Sequence, residues 1–444
     1  MEKYYILTYG CQMNVHESEK LAGILESLGY SLASKIEEAD VIVFNTCAIR
    51  ETAEQKIMGN IGEIKPIKNK NKNLIVAVCG CMSQQNNYPE MLREKFPFID
   101  IILGTHNIAD FGNKLIEVKN KRKKIIEIKQ TEDIYFRDNM PKVRTSGVNA
   151  WINITYGCNN FCTYCIVPYV RGREVSRPKE EILKEARECV ENGFKQITLL
   201  GQNVNSYGND NPDKFGTFAQ LLKEIDNIPG KFRIRFMTSH PKDLSDEVID
   251  CMAASAKIGH YIHLPIQSGS NRILNLMNRR YTVEKYLTLI EKARKKIPDI
   301  EFSSDIIVGF PTETDEDFNE TLNLVKKVGF QQLFTYVYNK RKGTVAEKME
   351  GQIPLSVKKE RIAKLISVEQ EIATKISESY INKTCEVLIE DVHPKKRGFV
   401  IGSLSCAKTI TIKGEKDLVG KFVLVKITKA KLTTLFGEII SELD

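Results

Sequence analysis

No run in this chain approaches the roughly 20 consecutive apolar residues that a membrane helix needs. The first residues, Met1-Glu2-Lys3-Tyr4-Tyr5-Ile6-Leu7, turn polar at Gly10 and lack the long apolar stretch of a signal peptide. The expected compartment is therefore the cytosol. Neither charge sign dominates: 65 basic against 57 acidic side chains leave +8, which permits an RNA partner without requiring one. The 11 cysteines are an odd number in a chain with no visible export signal. A disulfide framework is a poor reading of them, because the cytosol keeps thiols reduced. Thiolates gathered in such a chain more often bind metal or do chemistry.

What is present suits several folded domains. The 444 residues exceed one ordinary domain, and 42% of them are apolar, enough for real cores. Up to about Leu115 the pattern is strand then helix, repeated. The apolar runs Tyr4–Thr8, Val41–Phe44, Leu74–Val78 and Ile99–Leu103 alternate with helical stretches, the first about Glu17–Leu28 and the second from about Arg50. Unbroken β-branched runs between helices predict a parallel sheet covered on both faces. Lys119–Lys142 is basic and weakly patterned, and reads as a linker. From about Val148 to Asn339 six strand-then-helix units follow, with strands near Trp151–Thr155, Gln196–Leu200, Arg233–Met237, Tyr261–Leu264, Phe302–Val308 and Leu333–Tyr338. Six such units predict an incomplete (β/α) barrel with its chemistry at the strand C-termini. After a helical bridge at about Leu355–Tyr380, short alternating runs in Asn382–Asp444 predict a small five-stranded barrel.

Cys158, Cys162 and Cys165 form C-x3-C-x2-C just past the first barrel strand. Three thiolates on one loop suit three irons of a [4Fe–4S] cluster and leave the fourth iron open. An open iron can chelate S-adenosylmethionine (SAM) and deliver the electron that cleaves it to a 5′-deoxyadenosyl radical. Structural zinc normally takes four ligands, and no fourth Cys or His lies near this loop. Cys11, Cys47 and Cys81 each fall just past a predicted parallel strand, two of them behind Gly10 and Gly80. Strand ends of such a sheet share one edge, so these three can converge on a second cluster or simply be buried core thiols. Cys79 falls inside its strand and reads as packing, as do Cys189, Cys251, Cys385 and Cys406.

The cysteine loop and its continuation, Ile166-Val167-Pro168-Tyr169-Val170-Arg171-Gly172-Arg173-Glu174, resemble the radical-SAM superfamily and, within it, the methylthiotransferases. Leu200-Gly201-Gln202-Asn203, Thr238-Ser239-His240-Pro241 and His263-Leu264-Pro265-Ile266-Gln267 are similar to that family as well. Thr8-Tyr9-Gly10-Cys11-Gln12-Met13-Asn14 resembles the branch acting on N6-isopentenylated adenosine in tRNA. The resemblance spans the whole chain. It implies an N-terminal methylthiotransferase domain (1–118), a linker (119–143), a radical-SAM core (144–374) and a TRAM-like RNA-binding barrel (377–440). It also implies two [4Fe–4S] clusters, the second on Cys11, Cys47 and Cys81. Tyr164, Gln202, Gln267 and Gly309 are its expected contacts to SAM, whereas His240 and His263 read as structural.

The implied reaction is transfer of a methylthio group to adenine C2 beside the anticodon. The implied partners are tRNA and an electron donor such as flavodoxin or ferredoxin, with the sulfur donor open. The RNA-binding match is weaker at the residue level: in Gly402–Lys408 only Lys408 remains basic, and Lys395-Lys396-Arg397 can be a phosphate contact or a solvated charge run. Two other readings stand beside this one. One is a methylthiotransferase for threonylcarbamoyl-adenosine or a ribosomal-protein aspartate. The other is a two-cluster electron carrier or an RNA-binding protein with structural clusters.

Overall fold

The computed structural model describes residues 1–48, 51–129 and 140–443. The chain divides into two compact units. The first holds Met1–Thr145, Tyr156–Asn159 and Cys165–Arg177; the second holds Ser146–Thr155, Asn160–Tyr164 and the chain from Pro178 on.

In the first unit six parallel strands form one sheet, in the order β2-β1-β3-β4-β5-β6. They are β1 (Lys3–Thr8), β2 (Ser31–Leu32), β3 (Val41–Thr46), β4 (Ile75–Gly80), β5 (Ile101–Leu103) and β6 (Ile125–Glu127). The helices are α1 (Gln12–Ser27), α2 (Glu51–Glu63), α3 (Lys65–Lys70), α4 (Tyr88–Lys95) and α5 (Phe111–Lys121). The strands read as unbroken apolar runs because both faces are covered. On β3, Val41 and Val43 enter one core while Ile42 and Phe44 enter the other. Cys79 lies on the first of these faces, among Leu21, Ala77 and Phe111.

The expected linker 119–143 is partly built into this unit. Lys119–Lys121 closes α5, and Ile125–Glu127 pairs with β5 as an edge strand. Three residues between lysines are too short for a periodicity signal, and pairing with a formed neighbour supplies the order. Arg50, the expected start of the second helix, and 130–139 of the linker lie outside the described residues.

The second unit contains six strands in two parallel triplets, β11-β10-β7 and β12-β13-β14. These are β7 (Asn149–Asn153), β10 (Gln196–Leu200), β11 (Arg233–Phe236), β12 (Tyr261–His263), β13 (Glu301–Val308) and β14 (Gln332–Val337). Two-residue strands β8 (Thr155–Tyr156) and β9 (Val175–Ser176) and helix α6 (Val167–Arg171) lie in the chain between β7 and α7. Helices α7 (Lys179–Glu191), α8 (Pro212–Phe215), α9 (Phe218–Asp226), α10 (Asp246–Ala254), α11 (Asn271–Leu276), α12 (Val283–Lys296) and α13 (Asp315–Val328) follow their strands. One large core joins strands to helices through Ile152, Leu199, Ile234, Ile262, Phe302 and Ile306, with Cys189 inside it and Cys251 against it. Since alternate strand residues face opposite sides, Arg235, His263, Ser303, Asp305 and Phe334 are turned to the inner face.

Helix α14 (Leu355–Glu378) leads to a closed barrel of β15 (Thr384–Val392), β16 (Phe399–Leu404), β17 (Thr409–Lys413), β18 (Phe422–Lys431) and β19 (Thr434–Leu443). Its core includes Cys406, with Cys385 packed against it. The stretch Gly402–Lys408 is a docking surface within this unit. Arg235 donates to the Ser403 hydroxyl (2.9 Å) and the Leu404 carbonyl (2.8 Å), and Gln331 to the Cys406 carbonyl (2.9 Å). Lys408, the one basic residue of that stretch, is 3% exposed and donates to Ser377 (3.1 Å). Among the described residues no helix is long and apolar enough to cross a membrane.

Candidate functional site

Cys11, Cys47 and Cys81 stand at the C-terminal edge of three adjacent strands, β1, β3 and β4. The edge is knitted by two asparagines. Asn14 donates to the carbonyls of Tyr9 (2.7 Å) and Thr46 (3.0 Å), and Asn45 donates to the Asn14 carbonyl (2.8 Å) and the Ser18 hydroxyl (3.0 Å). Gly10 (φ +106°) is required here, because a Cβ would lie 2.7 Å from the Cys47 Sγ. Gly80 (φ +98°) has the Thr46 carbonyl oxygen 2.4 Å from the same position. The two glycines thus let Cys47 and the chain before Cys81 close in on one another.

Burial pushes the Cys81 thiol up to about 12, against the lowering influence of Arg171, and the neighbouring Glu17, Cys47 and Cys11 raise it further. Three thiolates so placed repel one another, and a cationic group between them removes that penalty. Among the described residues no three His, Cys, Asp or Glu side chains are drawn close enough to hold a single ion. Cys47 and Cys81 are buried and Cys11 half-buried, and the glycine-cleared edge carries three thiols of the donor type that an iron–sulfur cluster takes.

Arg171 is the residue at this site that sequence reasoning did not single out, although it stands in the quoted motif. It is 5% exposed and pairs with Glu17 (3.1 Å), donates to the Asn14 side-chain oxygen (2.7 Å) and reaches the Met13 sulfur (3.5 Å). Opposed by its own desolvation, it is held firmly protonated by Cys81, Glu17 and Cys11. It ends α6, the helix that begins two residues after Cys165. Ile166 and Val170 of this segment pack with Ala48 and Cys81 in one small apolar cluster.

The cysteine loop is described in pieces. Cys158, Cys162 and Cys165 are all half-buried. In the first unit the Cys158 amide donates to the Gly172 carbonyl (3.2 Å), and Gly157 is forced by the Arg173 carbonyl oxygen, 1.9 Å from where a Cβ would be. In the second unit Asn278 donates to the carbonyls of Asn160 (3.2 Å) and Phe161 (3.0 Å), while Thr163 is bonded to Leu276 and Met277. Arg279 donates to the Cys162 sulfur (3.5 Å) and to the Pro265 carbonyl (2.7 Å) and, through Nε, to the Tyr281 hydroxyl (2.8 Å). No sequence signal marked Arg279, which lies outside every quoted motif.

Around the barrel rim the backbone is strained in a consistent place. Thr238 (φ +68°), Gln267 (φ +74°) and Thr312 (φ +66°) are left-handed non-glycine residues, each within a few residues of a strand end. Gln267 is buried and continues the sheet, donating its amide to Asp305 (2.9 Å) and accepting from Ile307 (2.9 Å). Gln202 is half-buried two residues past β10. Tyr164 packs against Ile273, Met277, Phe310, Tyr338 and Ala346. At Gly309 (φ +71°) a Cβ would meet the Lys358 stem at 2.3 Å, and its amide is already bonded to Glu313 (2.9 Å). The close approach this glycine permits is therefore that of α14. His240 is buried, which drives its pKa far down, and its Nδ1 accepts from the Lys242 amide (3.2 Å).

Comparison with known proteins agrees with this geometry. The chain matches the Radical SAM superfamily over residues 152–325, the Uncharacterized protein family UPF0004 over 3–104 and the TRAM domain over 378–440. It is 50% identical over 437 residues to the tRNA-2-methylthio-N(6)-dimethylallyladenosine synthase of Caldicellulosiruptor saccharolyticus, covering 98% of this chain and 92% of that one. The synthase of the same name from Carboxydothermus hydrogenoformans is 49% identical, with 99% of each chain covered. Among solved structures, the radical S-adenosylmethionine methyltransferase TsrM from Kitasatospora setae, with cobalamin and a [4Fe-4S] cluster bound, shares the fold at TM-score 0.59 and 13% identity, over 78% of this chain and 74% of that one. With half its residues shared across the full length of these relatives, the chain belongs to the radical-SAM methylthiotransferase family, in the branch of the tRNA-2-methylthio-N(6)-dimethylallyladenosine synthases.

Proposed function

We infer that this chain methylthiolates C2 of N6-isopentenyladenosine beside the anticodon of tRNA, giving 2-methylthio-N6-isopentenyladenosine. The observation that carries the reading is the packing of Ile166 and Val170 on Cys81, with Arg171 locked to Glu17. The segment that follows the C-x3-C-x2-C loop is thereby a wall of the second cysteine set, which supports one reaction drawing on both cysteine sets.

In this reading Cys158, Cys162 and Cys165 hold one [4Fe–4S] cluster, and Cys11, Cys47 and Cys81 hold the other. When bound, these groups supply one-electron cleavage of SAM to the radical that takes the C2 hydrogen, and an open iron for the sulfur whose methyl group comes from a second SAM. The chain's own residues do the holding. Arg279 fixes the Cys162 sulfur against the Pro265 carbonyl. Gln202 and Gln267 are the polar contacts assigned to SAM, with Tyr164 beside its adenine and the left-handed turn at Gly309 bounding the pocket. Anticodon-loop bases are single-stranded and can be splayed out toward such a site. Exposed Lys395, Lys396 and Arg397 on the C-terminal barrel and Lys340 and Lys342 after β14 suit the RNA phosphates. The electron donor is assigned as a flavodoxin or ferredoxin, and the compartment as the cytosol.

Anaerobic reconstitution tests this. About eight irons per chain are expected, as two four-iron clusters. Ala at Cys158, Cys162 or Cys165 abolishes formation of 5′-deoxyadenosine. Ala at Cys11, Cys47 or Cys81 leaves that formation intact and stops sulfur insertion into tRNA. Normal methylthiolation by the Cys11→Ala variant refutes the division of labour.

A further inference from the structure

The inner face of the β12-β13-β14 triplet carries a polar group that the cluster and SAM assignments leave unused. Registered pairs place His263 opposite Ser303 and Asp305 opposite Phe334. The His263 Nδ1 lies 2.7 Å from the Ser303 hydroxyl, which the Tyr261 hydroxyl meets from its other side at 2.5 Å. That pair fixes the imidazole plane and aims Nε2 at the Asp305 carboxylate, 3.6 Å away and beyond hydrogen-bond length. The His263 ring also stands edge-on to Phe334, with centroids 5.7 Å apart. Asp305 keeps 25% of its side chain accessible, and Phe334 is 38% exposed although it sits on the inner face of the barrel strands.

A partly exposed carboxylate beside a histidine and an open aromatic ring is a donor-reading site lined for a flat apolar group. An N6-prenylated adenine offers one N–H on its base, the exocyclic N6–H; its remaining edge nitrogens are acceptors. We propose that Asp305, with His263 beside it, accepts the N6–H of the target adenine, and that Phe334 packs the prenyl group attached to the same nitrogen. The proposal rests on the substrate reading above and adds the residues that select within it. A carboxylate that bound substrate shields from water costs free energy when left without a donor, so these residues would favour a secondary N6 amine carrying an apolar chain.

The test uses anaerobically reconstituted holoenzyme and two anticodon stem-loop RNAs. One carries N6-isopentenyladenosine at the target position. The other carries O6-isopentenylinosine, which replaces N–H by oxygen with little change of shape. Wild type is expected to bind the oxygen analogue roughly 10- to 100-fold more weakly, the size of a lost hydrogen bond to a charged group. Asp305→Ala and Asp305→Asn are expected to lose most of that discrimination, and Phe334→Ala to lose preference for prenylated over unprenylated RNA. Equal binding of both RNAs by wild type overturns the proposal, as does undiminished discrimination in Asp305→Ala. Loss of SAM affinity in Asp305→Ala with RNA discrimination retained overturns it too, by moving Asp305 to the cofactor. Failure of the substrate reading looks different: wild type then leaves the N6-isopentenyladenosine RNA unmodified.

Discussion

Replacing Arg171 by Met tests whether the second cysteine site depends on a charge delivered from beyond the first. The side chains are similar in length, so the main change is electrostatic. Glu17, 3% exposed, loses its guanidinium partner at 3.1 Å, and Asn14 loses a donor at 2.7 Å. Breaking a buried pair by removing one member costs about 3–5 kcal/mol, because the other charge stays buried without compensation. The double variant Arg171→Met/Glu17→Gln removes that orphan charge, so its cost falls to about 1–2 kcal/mol, the range of lost neutral hydrogen bonds. The coupling between the two positions is thus on the order of 2 kcal/mol. In a multidomain cluster protein a single unfolding free energy is poorly defined, so the assay is native-state amide exchange along α1. Protection there should fall by roughly 10²- to 10⁴-fold in Arg171→Met and recover by more than tenfold in the double variant. Protection in Arg171→Met within fivefold of wild type would refute the reasoning. So would a double variant no better protected than the single one.

Three further outcomes can be checked. Gly10→Ala places a methyl group against the Cys47 sulfur, so reconstituted iron should drop from about eight to about four per chain while 5′-deoxyadenosine formation persists; full iron content contradicts the role given to this glycine. Arg279→Leu removes the donor to Cys162 and should lower SAM cleavage roughly 10- to 100-fold, the usual cost of losing a group that orients a metal ligand, with tRNA affinity measured in parallel and expected to hold. Asp317 caps α13 with Thr314 and pairs with Arg272; burial raises its pKa, but the donors from Arg272, Ser270 and Thr314 prevail and bring it from 3.8 to about 2. A depressed folded-state pKa gives stability that is complete above about pH 4 and is lost as pH falls toward 2. Thermal midpoints of Asp317→Asn should therefore decline less steeply over that window than those of the parent, and identical acid limbs would count against the assignment.

The sequence made the local features plain and the long-range ones only partly so. β3, β4, β10 and β13 are legible because strands of five to eight residues carry apolar stretches or alternation that mark burial on both faces or on one. β2 and β6, with two and three residues, carry no period and exist because a neighbouring edge accepts their backbone. In β16 Gly402 and Ser403 interrupt the apolar pattern, yet the glycine is needed where the Leu388 carbonyl oxygen would stand 2.4 Å from a Cβ. The C-x3-C-x2-C loop can be seen in eight residues, whereas Cys11, Cys47 and Cys81 converge only through the order of three strands. Arg171, Arg279 and Lys408 could not be placed at all from sequence, since an arginine or lysine looks the same whether it is solvated or buried against a thiol or a carbonyl.

Three guanidinium groups share a physical logic. Each reaches a buried or half-buried acceptor from a remote segment: Arg171 of α6 lies beside Cys81, Arg279 past α11 donates to Cys162, and Arg235 of β11 donates to Ser403 and Leu404 of β16. Burying a guanidinium is expensive unless its donors are used, and all three are anchored at more than one acceptor. Such contacts add directional bonds to segments that apolar packing alone holds only loosely in orientation. At Cys81 and Cys162 the same charge would offset the negative charge of a thiolate-bound cluster, so the cations that hold the loops in place are also those that set the electrostatics of the two sites.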